Sequence, residues 1–555
     1  MGVRVSRWTL PYFAAALTCF ATAQVVLALG WAYPVAGLSA PATLATVHLL
    51  TIGWLSLLIL GALQQFVPVI TGRSLASDTA AAWALGLVVS GLAGMVVGFL
   101  SLFGGPLAGV GTGVSGPVPP PVGAQQAVAP AGSGGPLAVA LPLGGTLVLT
   151  GFAVATVNLA IGLWRARPLV LPARFVAVGL NFLLLTGGLG VLLAWILAHP
   201  QGAVRHLGAP LVARLLGRGL PLHMAAGIGG WFTLTAMGVA YKLLSMFTLA
   251  PEDRGPAGRW VLRLSATGLL LAWLGGLAHL LLAATADGTA AGTGAAGEGL
   301  AGLAQVLSGL ATAGWVAAGV GVVIYLCDMR RLYRQRRRKV LELNARCAPW
   351  AFGALAVAMG MLAAGALTGR LAAVTPALAY LLLFGWLSGL GLTQLYKIVP
   401  FLTWLEKFGP RLGRGPAVRV QDLVNERRAQ PWFRLYFAAV AVATVAILAG
   451  WDDLWRAMTA LTLASTLAIA LELWRARRAE PRPHGAPVPP PWLGERGRTG
   501  ASTAGTIPRP DPRTAAGEGF PGQPVGKRAG ASRPAGGRWT AWPNPWSPRM
   551  TSGKR

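Results

Sequence analysis

The chain has 555 residues, 54% of them hydrophobic and only 11% charged, with a mean hydropathy of +0.59. Soluble globular chains carry about 25% charge, so the composition excludes a soluble enzyme and points to a polytopic membrane protein. The formal charge of +29 sits in alternate connections and in the C-terminal tail, a pattern of membrane topology rather than of nucleic-acid binding.

Apolar runs long enough to cross a bilayer, which takes about 20 residues, predict twelve helices. They fall at 9–33, 41–70, 80–104, 137–164, 172–198, 221–249, 258–284, 300–327, 348–369, 372–404, 432–450 and 455–475. The first lacks a small-residue cleavage site and reads as a membrane helix, not a removed signal. Arg4, Arg7, the cluster Arg165, Arg167 and Arg174, and the run from Arg330 to Lys339 all fall on one side, which the lysine/arginine bias makes the cytoplasm. Both termini are then cytoplasmic, in a multi-pass protein of the cell membrane. Opposite loops are nearly uncharged, except for Arg205, Arg214 and Arg218 in 199–220, where a short interfacial helix is expected. The Gly/Ala/Pro-rich loops 105–136 and 286–299 are expected to be flexible. Residues 1–477 form the membrane domain, and 478–555 are a basic Pro/Gly/Arg-rich tail without apolar periodicity, expected to be disordered. The cysteines Cys19, Cys327 and Cys347 form no CxxC motif.

One pattern returns three times. His48 opens the second span, followed by Gly53-Trp54, Gly61, Gln64-Gln65, Pro68 and Thr71. The frame recurs at Gly230-Trp231, Gly238, Tyr241-Lys242, Ser245 and Thr248, and again at Gly385-Trp386, Thr393, Tyr396-Lys397, Pro400 and Thr403. These marker helices are the second, sixth and tenth, so each repeat is four helices long. The expected fold is an all-α integral membrane protein with twelve transmembrane helices in three pseudo-repeated four-helix arcs. Lys242 and Lys397 share one frame position near the cytoplasmic end, where a snorkelling anchor is the simpler role and proton entry the sharper one. No Asp or Glu lies mid-span, with Glu406 and Glu472 at helix ends, which argues against an ion-coupled transporter.

Of six histidines, His484 lies in the tail and the other five at the outer side. His199 and His206 read as loop residues. His223 follows Pro221 at a helix start, and His279 lies near the end of the seventh span. His48 lies within an apolar run, where a neutral imidazole needs a partner; a haem or metal ion is one.

The His48-x4-Gly53-Trp54 element in the second of twelve helices resembles subunit I of the haem-copper oxidases, in particular the group that contains nitric oxide reductase. The likeness spans roughly residues 9–475. It implies that His48 matches the family's second-helix ligand to the low-spin haem, and that His223 is nearest to the sixth-helix copper ligand. The chain departs from the family in the tenth helix, which has no histidine and carries Tyr380 where His48 stands in its own repeat. It departs again in the seventh helix, which has only His279 where a histidine pair is expected. The resemblance therefore implies haem, with copper second, bound near the outer face for electron transfer or oxygen/nitric-oxide handling. His48, His223 and Tyr380 are the candidate cofactor residues, and His48, His223 and His279 the candidate metal ligands. Such a protein would take electrons from a cytochrome c-type or quinol donor. A cofactor-free permease and a structural partner subunit on the same scaffold stay open.

Overall fold

Among the described residues all regular structure is helical and no strand is present. The structure, a computed structural model, describes residues 6–102, 136–252, 255–288, 295–411 and 418–479. All fall within one compact unit, Met1–His484; a second, Gly485–Arg555, lies outside the described residues. The expected disorder of the tail beyond 479 and the flexibility of 105–135 fall outside them too.

The helices in chain order are α1 (Thr9–Ala28), α2 (Pro41–Thr71), α3 (Asp78–Ser101), α4 (Ala140–Arg165), α5 (Leu171–Ala198), a short α6 (Pro200–Leu207), and α7, a continuous helical run over 209–248. Then follow α8 (Ala257–Gly288), α9 (Ala295–Arg334), α10 (Leu343–Leu367), α11 (Leu371–Lys407), α12 (Glu426–Ala449) and α13 (Asp452–Arg478). Eleven of these are long and apolar enough to cross a membrane, which makes the chain a multi-pass membrane protein. The sixth expected span is present inside α7 but is not one of the eleven. His223 and Lys242 lie within it.

Two connections differ from expectation. The interfacial helix foreseen in 199–220 is α6 together with the first turns of α7, which run without interruption into the marker segment. The described residues of the 286–299 stretch are helical: α8 continues to Gly288 and α9 begins at Ala295. Alanine, the best helix former, outweighs the scattered glycines there.

The marker helices meet the first helix of each repeat through their glycines. A Cβ on Gly53 would lie 2.7 Å from the Cys19 Cβ, one on Gly230 2.2 Å from the Phe182 ring, and one on Gly385 2.8 Å from the Ala354 Cβ. One on Gly61 would lie 2.7 Å from the Tyr12 Cβ, and one on Gly238 2.4 Å from the Phe175 Cβ. Tyr12 and Cys19 are two turns apart on α1, as are Phe175 and Phe182 on α5, so the two helix pairs share one register. In membranes close backbone approach through small residues replaces the hydrophobic effect as the source of helix association. The α3–α4 and α8–α9 pairs use the same device: a Cβ on Gly91 or on Gly268 would lie 2.6 Å from the carbonyl oxygen of Gly144 or Gly314.

Candidate functional site

Each marker helix contains a π-helical segment at the same place in its frame. The segments are Leu49–Ser56, Ala225–Leu234 and Leu381–Ser388. In each, the Gly-Trp pair is followed two residues after the tryptophan by a hydroxyl: Ser56, Thr233 and Ser388. Ser56 Oγ donates to the Thr51 carbonyl at 2.9 Å and Ser388 Oγ to the Leu383 carbonyl at 2.7 Å, five residues back, the reach that π geometry sets. The tryptophans, all fully buried, tie the repeats together. Trp54 Nε1 donates to Ser388 Oγ at 2.8 Å, and Trp231 Nε1 to Ser56 Oγ at 3.1 Å. The first repeat thus bonds to the third and the second to the first. By the same rotation Trp386 should bond to Thr233, but its Nε1 has no partner.

His48 ends the α-helical turn of α2 immediately before the first π segment. Its Nδ1 lies 2.7 Å from the Leu44 carbonyl oxygen, and its ring centroid 4.8 Å from that of Phe99 on α3. A carbonyl only accepts, so Nδ1 carries the proton and Nε2 of the neutral ring keeps its lone pair. The nearby hydroxyls of Thr46 and Thr51 are spent on carbonyls of their own helix. His223, on α7, is arranged alike. Its Nδ1 lies 3.0 Å from the Thr186 carbonyl oxygen on α5, which leaves its Nε2 lone pair as well. Gly190 makes room for this ring: a Cβ there would lie 2.9 Å from His223 Cε1. The two imidazoles are close enough to interact electrostatically, and both are only partly buried.

The other candidates are held differently. His279, on α8, has its Nδ1 3.2 Å from the Ala304 carbonyl oxygen and its Nε2 2.5 Å from Arg218 Nη1. Guanidinium only donates, so both nitrogens of this ring are engaged. Tyr380 stands immediately before the third π segment, as His48 does before the first. It is buried, stacked on Phe384 at 4.5 Å and edge-on to Trp455 at 6.5 Å. The structure therefore brings His48 and His223 together and surrounds His279 and Tyr380 with other partners. His199 caps the junction of α5 and α6, and His206 lies 6.4 Å from Trp195. Among the described residues, no group of three or more His, Cys, Asp or Glu is placed to hold a metal ion.

At the opposite ends of the marker helices one frame position always serves as a tether. Gln65 Nε2 donates to the Ser6 carbonyl at 2.9 Å and to Thr9 Oγ1 at 2.6 Å. Lys242 pairs with Glu252, and Lys397 with Glu342. Glu342 also receives Arg338 Nη1 at 2.7 Å and Gln421 Nε2 at 3.0 Å. Burial raises the pKa of its carboxyl, but the hydrogen bonds from Lys397 and Gln421 and the charges of Lys397 and Arg338 outweigh that and hold it below the ordinary value. The anchoring role of Lys242 and Lys397 thus has visible partners. Sequence reasoning missed one buried carboxylate, Asp328, which accepts from Tyr241 Oη at 3.0 Å. The expected span stopped one residue short of it, whereas α9 continues to Arg334.

No protein-family profile matches the sequence. No curated protein matches it either. Among solved structures the fold is similar to that of a haem-copper terminal oxidase dimer determined by cryo-electron microscopy, at a TM-score of 0.45 and 13% identity over 86% of this chain and 83% of that one. No residue role is carried over from it.

Proposed function

We propose that this chain is a haem-binding membrane protein built on twelve spans in three four-helix arcs, in which His48 and His223 would hold the haem. The observation that carries this reading is the matched pair of imidazoles. Each holds its Nδ1 proton on a backbone carbonyl and keeps an Nε2 lone pair, the arrangement that fixes the tautomer and orientation of a metal-binding histidine. A copper ion in an all-protein site asks for three or more donors. A porphyrin brings four of its own and asks the protein for one or two, which suits a pair of histidines better. Copper, with His279 as a further ligand, is the lesser proposal, because Arg218 occupies the Nε2 of that ring. A bound haem supplies one-electron redox chemistry and, where a coordination position opens, gas binding. Within the chain, Leu44 and Thr186 orient the two rings, Phe99 packs against the first, and Gly190 admits the second. Held by both imidazoles, a haem would serve electron transfer from a cytochrome c-type or quinol donor; held by His48 alone, it would suit oxygen or nitric-oxide handling. The plasma membrane is the proposed location, with both termini and the 330–346 connection in the cytoplasm and the histidine pair towards the outside.

The test is the pyridine haemochrome and the reduced-minus-oxidised spectrum of protein purified from haem-replete cells. His48→Ala should lose the haem, His223→Ala should keep part of it with a five-coordinate spectrum, and His279→Ala and Tyr380→Phe should keep it unchanged. Wild-type protein without haem ends the proposal in favour of a cofactor-free scaffold. Orientation is tested by labelling single cysteines in intact cells: a probe at 120 should react and one at 335 should not.

A further inference from the structure

The end of α11 that carries Lys397 holds a second polar feature, independent of the histidine pair. A cavity of about 10 Å³ is lined there by Asn344, Tyr396, Lys397, Gln421, Glu342 and Glu426, with Val420 and Val424 closing it from the short helical turn Val420–Leu423. The charged groups around it are already paired: Glu342 with Lys397 and Arg338, and Glu426 with Arg346 at 2.7 Å and with the Leu343 amide at 2.9 Å. Two neutral groups are not. Asn344, 1% exposed, has neither its amide oxygen nor its amide nitrogen bonded, and Tyr396, 3% exposed, has an unbonded hydroxyl. An unsatisfied buried polar group costs about 1–3 kcal/mol, and three such atoms on one small cavity call for an occupant.

We propose that this cavity binds a single ordered water, which accepts from the Asn344 amide or the Tyr396 hydroxyl and donates to a carboxylate of Glu342 or Glu426. The size decides for water: about 10 Å³ is close to the space one molecule's centre requires, and internal waters are held by two to four polar partners. The charge decides against a cation, because the Lys397 ammonium lines the same cavity and each nearby carboxylate already has a cationic partner. Through Glu342, which accepts from Gln421 Nε2 at 3.0 Å, the water would also steady the 420–424 turn against α10 and α11.

The test combines a density map of the wild-type protein at a resolution that shows internal waters with hydrogen exchange of the 420–424 amides in Tyr396→Phe, which keeps the ring and removes the hydroxyl. The expected result is one peak within about 3.2 Å of Asn344 and of Tyr396 Oη. In the variant, exchange of the turn should be about fivefold faster, the effect of losing one net hydrogen bond from a locally opening segment. An empty cavity, a direct Asn344–Tyr396 bond, a peak present in sodium and absent in choline, or unchanged exchange in the variant would each overturn the proposal.

Discussion

The first and third marker helices share one local geometry and differ at the residue that enters it. Both carry an eight-residue π segment, a buried Trp in it, and a Ser that bonds five residues back. The residue immediately before the segment is His48 in one and Tyr380 in the other. His48 is left half-buried with a free ring nitrogen, while Tyr380 is enclosed by Phe384 and Trp455. The local scaffold repeats, and the side chain at the entrance to the segment is what differs.

Exchange of the two residues should have the largest effect. His48→Tyr should abolish haem binding altogether, whereas Tyr380→His should keep the haem held by His48 and gain no second one, because Phe384 and Trp455 fill the space in front of it. A second haem in Tyr380→His would mean that the enclosure of Tyr380 does not matter. Next come the glycines. Leucine at Gly53, Gly230 or Gly385 must displace side chains within 2.9 Å of the new Cβ, and overpacking of this kind costs about 1–3 kcal/mol or more. The yield of folded protein should fall similarly at all three; indifference at two of them would break the equivalence of the repeats. Third, Trp54→Phe and Trp231→Phe should each lower stability by about 1 kcal/mol for the hydrogen bond lost to a buried serine, beyond the packing change they share with Trp386→Phe. Thermal unfolding that gave Trp386→Phe the same penalty would show that its link is formed as well. The smallest effect concerns pH. The carboxyl of Glu342 titrates lower in the folded protein than in the unfolded chain, so its contribution is fully present above the ordinary value of about 4.3 and is lost as pH falls through the lowered one. Glu342→Gln should flatten the acid limb of the stability profile and leave neutral pH less affected.

How much of this was legible differs from element to element. Eleven of the twelve expected spans were, because a bilayer demands length and apolarity, which composition records directly. The marker frame was, because its glycines and threonines are fixed by contacts that recur; Thr71, Thr248 and Thr403 all bond back to the carbonyl four residues earlier. The π segments were not, since a shift from four to five residues in the hydrogen-bond ladder leaves no mark on hydropathy. Their one trace, the Ser or Thr two places after each Trp, was in view but lay outside the frame. How His48 and His223 lie relative to one another was also hidden, because it depends on the packing of α2 against α7 and of the His223 ring against α5. Asp328 was lost to a span boundary set too early.

The three π segments also carry a record of order in time. A π segment contains one residue more per turn than the α-helix around it, which is what a single inserted codon would leave behind. The excess sits at the same frame position in all three marker helices. Three separate insertions at one position are far less economical than one insertion in an ancestral four-helix unit that was copied afterwards. On that reading the widened turn is older than the threefold protein. The histidine at its entrance, present in only one copy, records what happened to the copies after they parted.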